Sequence, residues 1–87
     1  MNKYTIYHDG LLDRYLSSED ADLMLANTLD NLLSRGFNVD ISLIELSKRS
    51  EGYLFTITYV VKETDVKVSI DYEGEIRDSI IDQIRAL

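Results

Sequence analysis

The stretch YLFTITYVVKETDVKVSIDY, Tyr53 to Tyr72, decides how this chain folds. Tyr53, Phe55, Ile57, Tyr59 and Val61 fall on one side of an extended run. After the polar break Lys62 to Asp65, Val66, Val68, Ile70 and Tyr72 repeat the pattern, with Lys67, Ser69 and Asp71 opposite. Period-two alternation in two β-branched and aromatic runs, interrupted by a turn, reads as an antiparallel hairpin with one strongly apolar face.

Working outward, Ser47 to Gly52 is a polar turn, and Asn38 to Leu46 before it is a third strand. That strand changes phase: Val39, Ile41 and Leu43 face one way, and Ile44 and Leu46 the other, which a bulge near Leu43 explains. A helix precedes it, opened by Ser17-Ser18-Glu19-Asp20, where a serine oxygen can accept from a free first-turn N–H and the carboxylates suit the positive end of the dipole. It runs to about Arg35 with Ala21, Leu25, Leu29, Leu32 and Leu33 as its apolar stripe and Leu23 on the polar side. Gly36 at a left-handed stop, with Phe37 covering Leu32, closes it in the Schellman manner.

At the N-terminal end, Asn2 to His8 is a strand, and Asp9-Gly10 supplies a type I′ hairpin turn, so Leu11 to Leu16 is its return strand. At the other end Glu73-Gly74 stops the meander and a second helix follows, with Ile76, Ile80, Ile84 and Leu87 inward, Ile81 at the border, and Asp78, Asp82 and Arg85 outward. The order is β(β)αβββα. Each helix has one apolar face and the meander one strongly apolar face, so the expected fold is α+β, a two-layer sandwich with an antiparallel sheet of four to five strands and both helices on one side.

With 87 residues, 45% of them apolar, the chain is sized for one domain, 1–87, and is well outside the composition of disordered segments. It contains neither cysteine nor proline, which removes disulfides and thiolate metal sites and fits a reducing cytoplasm. No apolar run approaches the ~20 residues of a membrane span. A soluble cytoplasmic chain without a membrane partner is the expectation.

A net charge of −7 counts against direct nucleic-acid binding, which draws its affinity from basic groups that displace counterions. From residue 17 onward the order of helix, three strands and helix resembles the double-stranded-RNA-binding domain in topology alone. The resemblance implies RNA binding only with basic residues on the second helix, and there Glu75, Asp78 and Asp82 stand beside Arg77 and Arg85.

Chemistry is sparse. His8 and Asp9 are neighbours in an extended strand and point to opposite sides, which is unfit for a catalytic pair. DYEGE, Asp71 to Glu75, lacks the spacing of a calcium loop, and no phosphate-cradling glycine motif occurs. The expectation is no enzyme, no catalytic residue, no metal and no cofactor.

What remains is surface. With the tyrosine side under the helices, Leu54, Thr56, Thr58 and Val60 face outward, joined by Ile44, Leu46 and Tyr7; this β-branched and aromatic patch has few charges, the composition of a contact. Leu23 adds an exposed leucine on the first helix. The expected function is a small acidic protein-binding module, a regulator or inhibitor, with a structural homodimer as the alternative use of the same patch. A second surface is acidic: Asp20, Asp30, Asp78 and Asp82 on the polar helix faces can imitate a phosphate array toward a nucleic-acid-binding protein.

Overall fold

In the computed structural model, which describes residues 2–34 and 38–87, the chain runs β1 (Lys3–His8), β2 (Leu11–Ser17), α1 (Glu19–Leu33), β3 (Val39–Arg49), β4 (Gly52–Val61), β5 (Val66–Gly74) and α2 (Asp78–Arg85). The strands form one antiparallel sheet in the order β2-β1-β5-β4-β3. The fold is α+β, and the return strand is present, making five strands. Asp9 at φ 50° and Gly10 at φ 82° supply the two positive angles of a type I′ turn. The N-terminal hairpin pairs with the far side of β5, so β5 is the central strand.

Cross-strand register builds the inner face in rows. Leu16, Tyr4, Tyr72, Phe55 and Leu46 form one, and Arg14, Ile6, Ile70, Ile57 and Ile44 the next. Both helices cover this face: Leu25, Leu29 and Leu32 of α1 and Ile84 of α2 join Phe55, Ile57, Tyr59 and Ile70 in one core. The tyrosine side of β4 is therefore the buried side. The shortest dimension of the molecule, 20 Å, is that of one sheet and one helix layer. No helix among the described residues is long and apolar enough to cross a membrane.

The helical cover stops short of β3. Tyr59 and Ile57 on β4 are 6% and 0% exposed, while their partners Ile41 and Ile44 on β3 are 36% and 38% exposed. α1 packs along β1 and β2 and against α2, and two helices about 10 Å across cannot roof five strands. β2 and β3 are the open edges, and both are guarded alike. Each carries a register break, at Asp13 in β2 and at Ser42 in β3. Each also turns a cation onto the apolar face: Arg14 opposite Ile6, and Lys48 opposite Tyr53 with its amine 5.9 Å from the ring centre. Bulges and inward charges are devices that keep an edge from pairing with another chain.

Three expectations need correction. The bulge in β3 falls at Ser42, between Ile41 and Leu43, and its sense is reversed: Val39, Ile41, Ile44 and Leu46 all pair with inner residues of β4, and Leu43 alone turns outward opposite Thr58. The extra residue keeps the apolar side chains beside Tyr59, Ile57 and Phe55. Leu33 is 40% exposed, and Thr28 is buried in the α1 stripe instead, its hydroxyl 2.8 Å from the Tyr4 phenol. No serine side chain caps α1: Ser18 sits at φ 60°, ψ −132°, and its backbone N–H donates to the Asn2 carbonyl at 2.7 Å. The expected helix ending at Gly36 and Phe37 lies outside the described residues.

The turns are tighter than the polar runs implied, since β3 continues to Arg49 and β4 begins at Gly52. Gly52, at φ 95°, closes that hairpin, and a Cβ there would collide with the Gly74 carbonyl.

Candidate functional site

No segment of the described chain covers the other face of the sheet. Register orders its side chains into four rows across the strands. The first is Leu12, Tyr7, Ser69, Thr58 and Leu43, from edge to edge, without a charge. The second is Tyr15, Thr5, Asp71, Thr56 and Glu45, and the third Ser17, Lys3, Glu73, Leu54 and Ser47. On the other side of the uncharged row stand Asp9, Lys67, Val60 and Asp40, Asp9 joining through bonds in both directions with the Lys67 backbone, N–H to carbonyl at 2.8 Å and carboxylate from N–H at 3.1 Å.

The centre of this face is stiff. Thr56 donates to Asp71 at 2.9 Å, Thr58 and Ser69 share a hydrogen bond at 3.2 Å, and Ser42 reaches the Thr58 carbonyl at 3.3 Å. These bonds occupy the hydroxyls of Thr56, Thr58 and Ser69 within the sheet, so the uncharged row offers methyl groups and backbone, with Tyr7 half-buried in it and the Asp71 carboxylate in the row beside it. Toward the edges the side chains are more exposed: Leu12 is 63%, Tyr15 53% and Leu43 39% exposed.

Of the residues expected here, Tyr7, Leu54, Thr56, Thr58 and Val60 lie on this face. Ile44 and Leu46 do not; register puts them on the helix side, for the reason given by the bulge. Leu12, Tyr15 and Leu43 were missed, because the β2 register and the sense of the β3 bulge are tertiary facts. Leu23 stands exposed on α1, away from the sheet.

The four acidic candidates Asp20, Asp30, Asp78 and Asp82 are all exposed on the helix layer. Leu25 and Ile80 line one groove, and farther along Gln83 donates to Asp30 at 3.5 Å, so α1 and α2 run in the same direction and start at the same end. α1 itself carries Glu19, Asp20, Asp22 and Asp30 and no Lys or Arg.

At the shared starting end a groove of about 460 Å³ opens over Leu25, Ile76 and Ile80. A polar junction fills its rim. Tyr72 shares its one hydroxyl hydrogen between Asp22 at 2.6 Å and the Glu75 carbonyl at 2.8 Å, and Asn2 donates to Asp22 at 2.6 Å while accepting from the Glu75 N–H at 3.1 Å. Burial, then the bond to Asp22 and the Asp22 and Glu75 charges, raise the Tyr72 phenol well above its ordinary pKa. These bonds tie β1, α1 and the β5–α2 link together, so the groups are committed to structure.

His8 meets Asp13 across the hairpin, with 3.8 Å between Nδ1 and the carboxylate, both half exposed. The DYEGE carboxylates separate: Asp71 and Glu73 point to the outer face, and Glu75 stands at the start of α2. Among the described residues no three His, Cys, Asp or Glu side chains are grouped to hold a metal ion. Comparison with protein-family models, with curated proteins and with solved structures finds no match.

Proposed function

We propose that this chain is a non-enzymatic protein-binding module that docks through the outer face of its sheet. One observation carries the reading: an uncharged row runs across all five strands, while charged side chains stand in the rows toward both ends of the strands. A charge-depleted centre inside a polar rim is the anatomy of a protein–protein contact. The internal hydrogen bonds of Thr56 and Thr58 support it, because pre-bonded polar groups need not be stripped of water without replacement when a partner covers them.

The test compares three baits in a native extract: the wild type, a Tyr7→Lys/Leu43→Lys variant, and an Asp30→Asn/Asp82→Asn variant. A partner held by the first and third but released by the second is the expected result. A partner that stays bound to Tyr7→Lys/Leu43→Lys overturns the reading.

A second reading rests on the acid of α1. Two parallel helices with Asp20, Asp30, Asp78 and Asp82 outward offer a negative surface to a basic nucleic-acid site on another protein. Under it, Asp30→Asn/Asp82→Asn releases the partner and Tyr7→Lys/Leu43→Lys does not.

A further inference from the structure

We infer that the occupant of the outer face is a second copy of the chain, seated face to face about a two-fold axis that crosses the strands between the Leu12 row and the Tyr15 row. The inference rests on reading that face as a docking surface and names its partner. Rotation about such an axis lays each strand over its own copy in the opposite direction and exchanges the rows. The Leu12 row covers the Tyr15 row, and the Asp9 row covers the Ser17 row.

The chemistry of the exchanged rows matches. On β5, the middle strand, Lys67 comes over Glu73 of the second copy. On β1, Asp9 comes over Lys3, and on β4, Val60 comes over Leu54. Near the axis, Leu12 meets Tyr15 and Tyr7 meets Thr5. Because the arrangement is symmetric, each pair occurs twice. Leu43 over Glu45, at the β3 rim, is without a counterpart in kind, and on β5 the Asp71 carboxylate meets the Ser69 hydroxyl rather than a cation.

Neighbouring arrangements match less well on charge. Moving the axis onto the Leu12 row exchanges the Lys67–Glu73 and Asp9–Lys3 matches for Lys67 over Asp71 alone and brings Asp40 over Glu45, and moving it onto the Tyr15 row brings Asp71 and Glu45 each over its own copy. Turning the axis parallel to β5 sets Lys67, Asp71 and Glu73 each against itself. Like charges opposed in a contact are strongly unfavourable, so these registers are disfavoured relative to the first.

Area and net charge are compatible with it. Five strands about 4.8 Å apart and four rows about 6.8 Å apart make a face of roughly 650 Å² per copy in projection, so two copies clear the ~1,000 Å² of a specific interface. Sheets pack about 10 Å apart, which leaves the two acidic helix layers on the far sides, about 30 Å from each other and nearly four Debye lengths of about 8 Å at physiological salt. The guarded edges of β2 and β3 leave the face as the open route to self-association.

The experiment is analytical ultracentrifugation of the full chain at tens of micromolar, with circular dichroism to verify folding of each variant. The wild type is expected to be a dimer. Lys67→Glu and Glu73→Lys, at exposed positions, should each weaken it roughly tenfold or more, and the double swap should restore it because both pairs are regenerated with reversed sign. A wild type that stays monomeric overturns the self-pairing; a different protein captured in a manner sensitive to Tyr7→Lys/Leu43→Lys would then still uphold the binding face. A dimer indifferent to both single reversals overturns this geometry.

Discussion

Ser18 opens α1 at φ 60°, ψ −132°, a conformation in which a side chain is strained and glycine is not. Replacing it should therefore stabilise the protein: Ser18→Gly is expected to raise the unfolding free energy by about 1 kcal/mol, read as a higher urea midpoint at unchanged slope. Thr28 behaves in the opposite sense. Its bond with Tyr4 is buried, so Thr28→Val leaves a phenol hydroxyl without its partner and should cost about 1–3 kcal/mol. Adding Tyr4→Phe should recover much of that loss, since both polar atoms are then gone. Neither effect was legible in the chain: Ser18 stood in a run that reads as a helix cap, and Thr28 finds Tyr4 across 24 positions of sequence.

Among the elements, the edge strands carry the most specific consequence. Arg14 on β2 ends the apolar row of Ile6, Ile70, Ile57 and Ile44, and Lys48 on β3 lies over Tyr53 at the rim of the inner face. Lys48→Val should leave the urea midpoint nearly unchanged but produce aggregates on heating that the wild type does not form, and Arg14→Val should do the same from the other edge; light scattering checks both. Hairpins β1–β2 and β4–β5 were readable because turn residues and alternation agree locally. β3 was readable as a strand with a bulge, but not in its sense. Alternation says that the phase changes by one residue, and only the rows of Phe55, Ile57 and Tyr59 decide which residues keep the inner side. The start of α2 at Asp78 was likewise set by the junction of Tyr72, Asp22, Asn2 and Glu75.

For the molecule as a whole, the buried phenols give stability a defined alkaline limit. Burial, with the neighbouring Tyr4 adding to it, pushes the Tyr59 phenol up to about 12. Burial also raises Tyr4, partly offset by the Thr28 bond and the Arg14 charge. A phenol ionises more readily in the unfolded chain, whose tyrosines lose their protons near pH 10. Below that pH both states are protonated and the stabilisation is complete; above it the unfolded state holds fewer protons, and stability falls until the folded pKa is passed. Urea midpoints should thus be level up to about pH 9.5 and fall between about pH 10 and 12. Tyr59→Phe should show a shallower fall over that window, and an equal fall in the variant would rule out this origin.

By itself the sequence determined the α+β class, the element order, the hairpin turns and the side of the central strands that is buried, because each depends on neighbours a few residues apart and on a period of two or 3.6. It also determined that the outer face of β4 carries threonine, valine and leucine. Tertiary structure alone decided that β1 lies beside β5, that Leu43 and not Ile44 joins the outer face, and that Leu12 and Tyr15 stand in its rows. Those facts depend on register between strands far apart in the chain, where burying one more apolar row outweighs any local preference.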